Sequence, residues 1–350
     1  MRHLYFVPAS ETGLNDSMFG GRSPYRGGVS NMDFWRRFAE ACRGRGIAAR
    51  TLDFWSEETA GPDDALLVQN HPGETLLWRT FYFLKHGRSG FLFRKRKFIF
   101  GNRRFFRRRA LWQGESPMVV PYIYHRLPAL HRSGLYHKIF LLSRGGRDDA
   151  YFNYFYYRGD DFVHPAFDAP KKKFLAMVNT NALPHSLANE LYGERLRAIR
   201  YFSPVPGFDL YGYGWDAMPR HPFYFSYGRY VKKVFRGEVD DKVGKLSEYR
   251  FALCFENCSY PGYVSEKIFD CLAAGCVPIY LGAPDITDIV PAECFIDFRK
   301  FNGDYAALHR FLDSRTETDM QNYRAAIKRF LQDASTRKSI GSFIDEIVAA

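Results

Sequence analysis

Ser265, Glu266 and Lys267 stand together where the pattern of the chain turns from strand to helix. They lie within Phe251–Pro284, which reads as an apolar run, a Pro261–Gly262 turn, a helix capped by Ser265, and a stop at Gly275 before the next apolar run. In a parallel βαβ unit the helix N-terminus lies at the carboxyl ends of the strands, where α/β folds bind ligands. A lysine in the first helical turn opposes the helix dipole at a cost of about 0.3–1 kcal/mol. Lys267 makes sense there if an anion is held between it and the free backbone N–H groups of the turn. Glu266 suits the dipole and can accept from ligand hydroxyls. The chemistry open to this trio is to hold a phosphate-bearing ligand; the plainer alternative is a Lys267 that snorkels to water.

A second feature is the placement of charge. The net charge is +12, and Thr75–Gly114 holds twelve basic residues and no acidic one, so the other residues balance to zero. Arg103, Arg104, Arg107, Arg108 and Arg109 close this tract, interleaved with Phe98, Phe100, Phe105, Phe106 and Trp112. Basic residues mixed with aromatics suit an anionic membrane surface or an anionic acceptor. They also suit a nucleic-acid backbone, or a solvated face whose aromatics turn into the core.

These residues need elements to position them. Over 350 residues, short apolar runs alternate with amphipathic stretches, the mark of α/β units on parallel sheets. Strands are expected at His3–Pro8, Ala49–Phe54, Ala65–Gln69, Ala110–Gln113 and Lys138–Leu142, with helices over Met32–Cys42 and from near Glu74. The polar stretch Arg144–Pro170 reads as an irregular linker. Beyond it come strands at Lys173–Val178, Phe208–Tyr211, Phe251–Phe255, Val277–Leu281 and Phe295–Phe298, and helices at Leu187–Tyr201, Tyr305–Leu312, Met320–Leu331 and Ile340–Val348. The organisation expected is an N-terminal α/β domain over 1–160, a C-terminal α/β domain over 161–335, and a terminal helix over 336–350. Two α/β domains facing each other across a cleft is the economical architecture.

Composition narrows the classes. Apolar residues are 46% and charged residues 25%, the balance of a folded globular chain. Six cysteines are too sparse for a disulfide scaffold. No run reaches the ~18 uncharged apolar residues of a spanning helix, and Met1–Ser10 does not read as a signal peptide. A cytoplasmic protein, peripheral on the inner face of the membrane, is the expectation. No Asp-x-Asp occurs, so a divalent metal is not implied, and no Walker loop or strand-linked GxGxxG appears.

The run Phe255-Glu256-Asn257, followed by Gly262-Tyr263-Val264-Ser265-Glu266-Lys267, resembles the donor-binding signature of family 10 glycosyltransferases of bacterial type, the α1,3/α1,4-fucosyltransferases. Val277–Gly282 and Phe295-Ile296-Asp297 sit where that family has its next two strands. The resemblance is good over Lys171–Asn302 and loose before it. It implies a GT-B-like fold of two Rossmann-like domains, with GDP-fucose as donor substrate, no cofactor required, and Asn257, Tyr263, Glu266 and Lys267 as donor contacts. It also implies an arginine on the preceding helix that neutralises the pyrophosphate, matched here by Arg195, with Arg197 in reserve. The family's catalytic base, usually in Gly-Glu-Asn, falls on Glu115 in Gly114-Glu115-Ser116-Pro117. The acid-free tract before Glu115 would raise the local positive potential and lower its pKa. Asn179-Thr180-Asn181 departs from the Ser-Asn of relatives.

The activity so implied is inverting transfer of fucose from GDP-fucose to a hydroxyl of a glycan acceptor, on a surface polysaccharide or lipid-linked glycan. Two alternatives stay open: a GT-B transferase with another nucleotide sugar, and a basic nucleic-acid-binding protein.

Overall fold

The computed structural model describes residues 2–20, 29–72, 90–141, 152–154, 163–182, 184, 188–216, 224–333 and 340–349. The helix expected from near Glu74 lies outside them. The chain divides into two compact units, 1–24 with 31–157 and 338–350, and 25–30 with 158–337.

The first unit is built on β1 (Arg2–Val7), β2 (Ile47–Thr51), β3 (Ala65–Gln69), β4 (Arg108–Gln113), β5 (Lys138–Leu141) and β6 (Phe152–Tyr154). They form one sheet in the order β2-β1-β3-β4-β5-β6, with every pair parallel. Both faces are covered, which is why the central strands read as continuous apolar runs. Alternate residues go to opposite sides: Ala65 and Leu67 meet Phe34, Trp35 and Phe38 of α1 (Val29–Gly44), whereas Leu66 and Val68 meet Phe98, Ile99, Phe106 and Ile123. These last come from α2 (Phe91–Gly101), the segment after it, and α3 (Pro121–Arg132).

One finding here revises the sequence reading, and another bears on the basic tract. The polar stretch expected as a linker contains strand β6, which pairs with β5 over three residues; a strand that short carries no legible period. The aromatics of the basic tract divide: Phe91, Phe98 and Phe106 are buried, whereas Phe100 is 38% exposed.

The second unit holds β7 (Lys173–Val178), β8 (Phe208–Tyr211), β9 (Tyr249–Phe255), β10 (Val277–Leu281) and β11 (Ile296–Asp297), all parallel, in the order β11-β10-β9-β7-β8. One face packs on α4 (Tyr192–Phe202), α5 (Tyr224–Val234) and α8 (Tyr305–Asp313), with Leu196, Ile199, Phe202, Val231, Val234, Leu308 and Leu312 against Leu175, Met177, Phe251, Leu253 and Ile279. The short α6 (Lys242–Leu246) precedes β9, α7 (Glu266–Ala273) joins β9 to β10, and α9 (Glu317–Gln332) packs on α7 and β10.

The terminal helix α10 (Ile340–Val348) belongs to the first unit. Ile340, Phe343, Ile344 and Ile347 fill its core beside Phe34 and Phe38. The Arg45 guanidinium donates to both oxygens of Asp345 at 2.8 and 3.2 Å. Among the described residues no helix is long and apolar enough to cross a membrane, and the six cysteines are buried and form no disulfide.

Candidate functional site

Strand β9 ends at Phe255, and Glu256 follows it into the loop, fully buried. A buried carboxylate must be matched by donors or a cation. Glu256 accepts from the Ser265 N–H and the Ser265 hydroxyl, both at 2.7 Å, and from Lys267 Nζ at 3.3 Å. The space is tight: a Cβ at Gly282 would stand 2.6 Å from Glu256 Cγ and 2.4 Å from the Tyr280 hydroxyl, so only glycine fits beside it.

Ser265 is the N-cap of α7, its Oγ accepting from the Lys267 N–H. Lys267 Nζ also reaches Ser265 Oγ at 3.0 Å and lies 3.8 Å from Glu266 Oε1. Burial works against the charge on Lys267, but Glu256 and then Glu266 outweigh it and raise the pKa. Burial likewise opposes ionisation of Glu266, and Lys267 with Lys242 holds its carboxyl below the usual range. Both groups therefore carry full charge at neutral pH. Lys242 is paired with Asp270 at 2.8 Å; burial lowers its pKa, and Asp270 and Glu266 more than reverse that.

Arg195 sits on α4, 2% exposed, its ring-stacked guanidinium 4.7 Å from the Tyr192 centroid. Its Nη2 donates to the Phe255 carbonyl at 2.7 Å and to Asn257 Oδ1 at 2.9 Å, while Nε is buried with no partner. Burial lowers its pKa, though a guanidinium stays protonated in proteins.

Together these side chains wall a cavity of about 250 Å³ within the second unit. Of the residues singled out from sequence, Arg195, Asn257, Glu266 and Lys267 line it. Tyr263 is buried and is not among the lining residues, and Arg197 pairs with Glu194. The sequence reading missed Lys242, Tyr192, Gly212, Tyr213 and Glu238, which also line it. Asn179 lines the cavity too, whereas Asn181 is structural, its Nδ2 donating to the Gly214 carbonyl at 2.9 Å.

Glu115 belongs to the first unit, half-buried after β4. Its carbonyl accepts from the Tyr124 hydroxyl at 2.9 Å, and the loop before it is fixed by Asn70, whose Oδ1 accepts from Gly114 N at 2.9 Å and Gln113 Nε2 at 3.3 Å. Next to Asn70, His71 Nδ1 lies 2.7 Å from the Tyr136 hydroxyl. Burial, with Lys95, Arg96 and Arg126 nearby, lowers the His71 pKa to about 3.

The arginines of the basic tract divide. Arg109 is turned to its own chain, donating to the carbonyls of Leu135 and Gly134 at 2.8 Å and to Phe106. Arg108 lies 3.4 Å from Asp63, Arg104 is exposed 3.8 Å from Glu57, and Arg103 and Arg107 are exposed. Lys95, from the same tract, is buried and donates to the Pro8 and Gln69 carbonyls at 2.8 and 2.6 Å. Among the described residues no cluster of three or more His, Cys, Asp or Glu could hold a metal ion.

Residues 220–328, which include Glu238, Lys242, Glu256, Glu266 and Lys267, match the C-terminal domain of glycosyltransferase family 10 (fucosyltransferase). That match covers about a third of the chain and supports membership of family 10. The chain is similar to an α-(1,4)-fucosyltransferase of Arabidopsis thaliana, 46% identical over 56 residues, 16% of this chain and 14% of that protein. It is also 37% identical over 78 residues to the α-(1,3)-fucosyltransferase FucT of Helicobacter pylori, 21% of this chain and 16% of that one. The chain thus matches less than a fifth of the length of these relatives. In fold it is similar to a crystal structure of an α1,3-fucosyltransferase (TM-score 0.50, 14% identity, 99% of this chain and 89% of that one) and to an α-glucosyltransferase in complex with UDP and DNA (TM-score 0.56, 10% identity, 99% of both). Its two parallel-sheet units are of the GT-B class.

Proposed function

We propose that this protein is an inverting fucosyltransferase that moves fucose from GDP-fucose to a glycan hydroxyl. The observation that carries the reading is the cationic cavity at the carboxyl ends of β7 and β9, walled by Arg195, Lys242 and Lys267 beside the Ser265-capped helix. Cations at that point stabilise the charge that builds on a departing diphosphate. The relatives named as fucosyltransferases supply the donor sugar of the proposal.

In the proposed reaction Glu115 removes the acceptor hydroxyl proton, a role worth about 10²–10⁴-fold. The acceptor oxygen bonds to fucose C1 as the bond from C1 to the β-phosphate oxygen breaks. The electron pair leaves with GDP, whose charge Arg195 and Lys267 meet, and Glu266 accepts from the ribose hydroxyls. The acceptor is proposed to be a surface polysaccharide or lipid-linked glycan, met at the cytoplasmic face of a membrane by the exposed Arg103, Arg104 and Arg107.

Thermal stabilisation by GDP, UDP, ADP and CMP tests the donor. At 100 times Kd, binding adds about 2.7 kcal/mol. Selective stabilisation by GDP is expected; a shift with UDP alone would overturn the fucose assignment, and none with any nucleotide would overturn the transferase reading. The anomeric configuration of a product made from GDP-fucose, read by NMR, tests inversion.

A further inference from the structure

The cavity lining falls into two groups by what each residue is tied to. Arg195, Asn257, Glu266, Lys267 and Lys242 gather around Glu256 and the start of α7, and they carry all the positive charge of the wall. The second group comes from the loops after β7, β8 and α5: Asn179, Gly212, Tyr213 and Glu238. Its members interlock. Gly212 has φ +127°, and a Cβ there would stand 2.1 Å from the Asn179 carbonyl oxygen, so the two loops approach at a glycine. Gly212 N donates to the Gly237 carbonyl at 3.1 Å, which brings Glu238 beside them, and Trp215 Nε1 donates to the Asn179 carbonyl at 2.5 Å.

This second group offers acceptors and an aromatic ring. Asn179 is 5% exposed, and its Oδ1 is buried with no hydrogen-bond partner. A buried acceptor is costly to leave unmatched, and its presence on the wall of a cavity points to a donor that arrives with the ligand. Glu238 is exposed, and Tyr213 is 45% exposed. Among the nucleobases, guanine alone presents two adjacent donors on one edge, N1–H and the N2 amino group. Uracil has a single N–H between carbonyls, and the amino groups of adenine and cytosine each adjoin a ring-nitrogen acceptor.

We propose that Asn179 and Glu238 read the base of the bound nucleotide, accepting from N1–H and N2–H of a guanine whose phosphates lie toward Arg195 and Lys267. Asn179 and Glu238 are then specificity-determining residues, and Tyr213 is the ring on which the base rests. The inference rests on the donor reading of the cavity given above.

Isothermal titration of the full chain with GDP, IDP, UDP and inorganic pyrophosphate tests it, because IDP lacks only the N2 amino group. Wild type should bind GDP about tenfold or more tightly than IDP. Glu238→Ala, which removes the acceptor, should abolish that advantage, and Asn179→Ala should weaken GDP and IDP alike by about tenfold, with pyrophosphate affinity unchanged in both. Glu238 is exposed, so its variant retains the fold and decides the matter if Asn179→Ala disturbs packing. GDP bound best, but with the same GDP-to-IDP ratio in Glu238→Ala as in wild type, overturns base reading and leaves the donor reading standing. UDP bound best by wild type overturns both.

Discussion

Replacing Lys267 by alanine should destabilise the second unit before any ligand is considered, and the cause is Glu256. That carboxylate is fully buried, with two donors from Ser265 at 2.7 Å and one cation, Lys267 Nζ, at 3.3 Å. At an effective dielectric of about 20, charges 3.3 Å apart attract by ~5 kcal/mol before ordering and desolvation are subtracted. Removing one partner of a buried pair costs ~3–5 kcal/mol. The Ser265 donors remain, so about 3 kcal/mol is expected, roughly 6–12 °C in Tm for a unit of this size. The Lys267 side chain is 15% exposed, which leaves little room for solvent to screen the loss.

The sharper measurement is the double variant Glu256→Gln/Lys267→Ala. A glutamine keeps an oxygen for the Ser265 N–H and can donate its amide to Ser265 Oγ, and it carries no charge to strand. It should recover most of the stability lost in Lys267→Ala, while nucleotide binding stays weak in both because the cation is gone. Urea unfolding followed by near-ultraviolet circular dichroism, with GDP titration calorimetry alongside, separates the two effects. The reasoning fails if Lys267→Ala unfolds within about 0.5 kcal/mol of wild type, or if the double variant is no more stable than the single one.

Three further outcomes are expected. Glu115→Gln should lower kcat by about 10²–10⁴-fold with little change in KM for GDP-fucose, as befits a proton acceptor that does not hold the donor; a large rise in KM with kcat intact would place Glu115 in binding instead. His71 should make stability fall with acid: its folded pKa of about 3 lies below the unfolded 6.5, so the unfolded chain binds the extra proton and stability is lost as pH drops below 6.5. Between pH 7 and pH 5 wild type should lose about 2 kcal/mol more than His71→Gln, measured by urea unfolding, and equal losses would refute the assignment. Changing Arg103, Arg104 and Arg107 together to serine should weaken salt-sensitive sedimentation with anionic vesicles, since all three are exposed; unchanged sedimentation would remove membrane contact from the proposal.

How far the sequence reveals such arrangements depends on whether the deciding interaction is local. Lys173–Val178 and Val277–Leu281 are legible to the residue because a parallel strand buried on both faces must be apolar throughout. The capped start of α7 is legible because Ser265, Glu266 and Lys267 are neighbours whose types answer to one helix end. Lys242 is not, since on its own five-residue helix it reads as a solvated lysine, and only its pairing with Asp270 on α7 turns it to the cavity. The same holds for Lys95 and Arg109, which the tract counts as surface charge and the fold spends on backbone carbonyls from other segments. A run of like charges therefore overstates the field a surface presents, because each basic residue that caps a carbonyl is taken from the face it seems to decorate. Asn179 makes the converse case: an amide at a strand end reads as an ordinary turn residue, and its meaning lies in an oxygen that the fold buries and leaves unmatched.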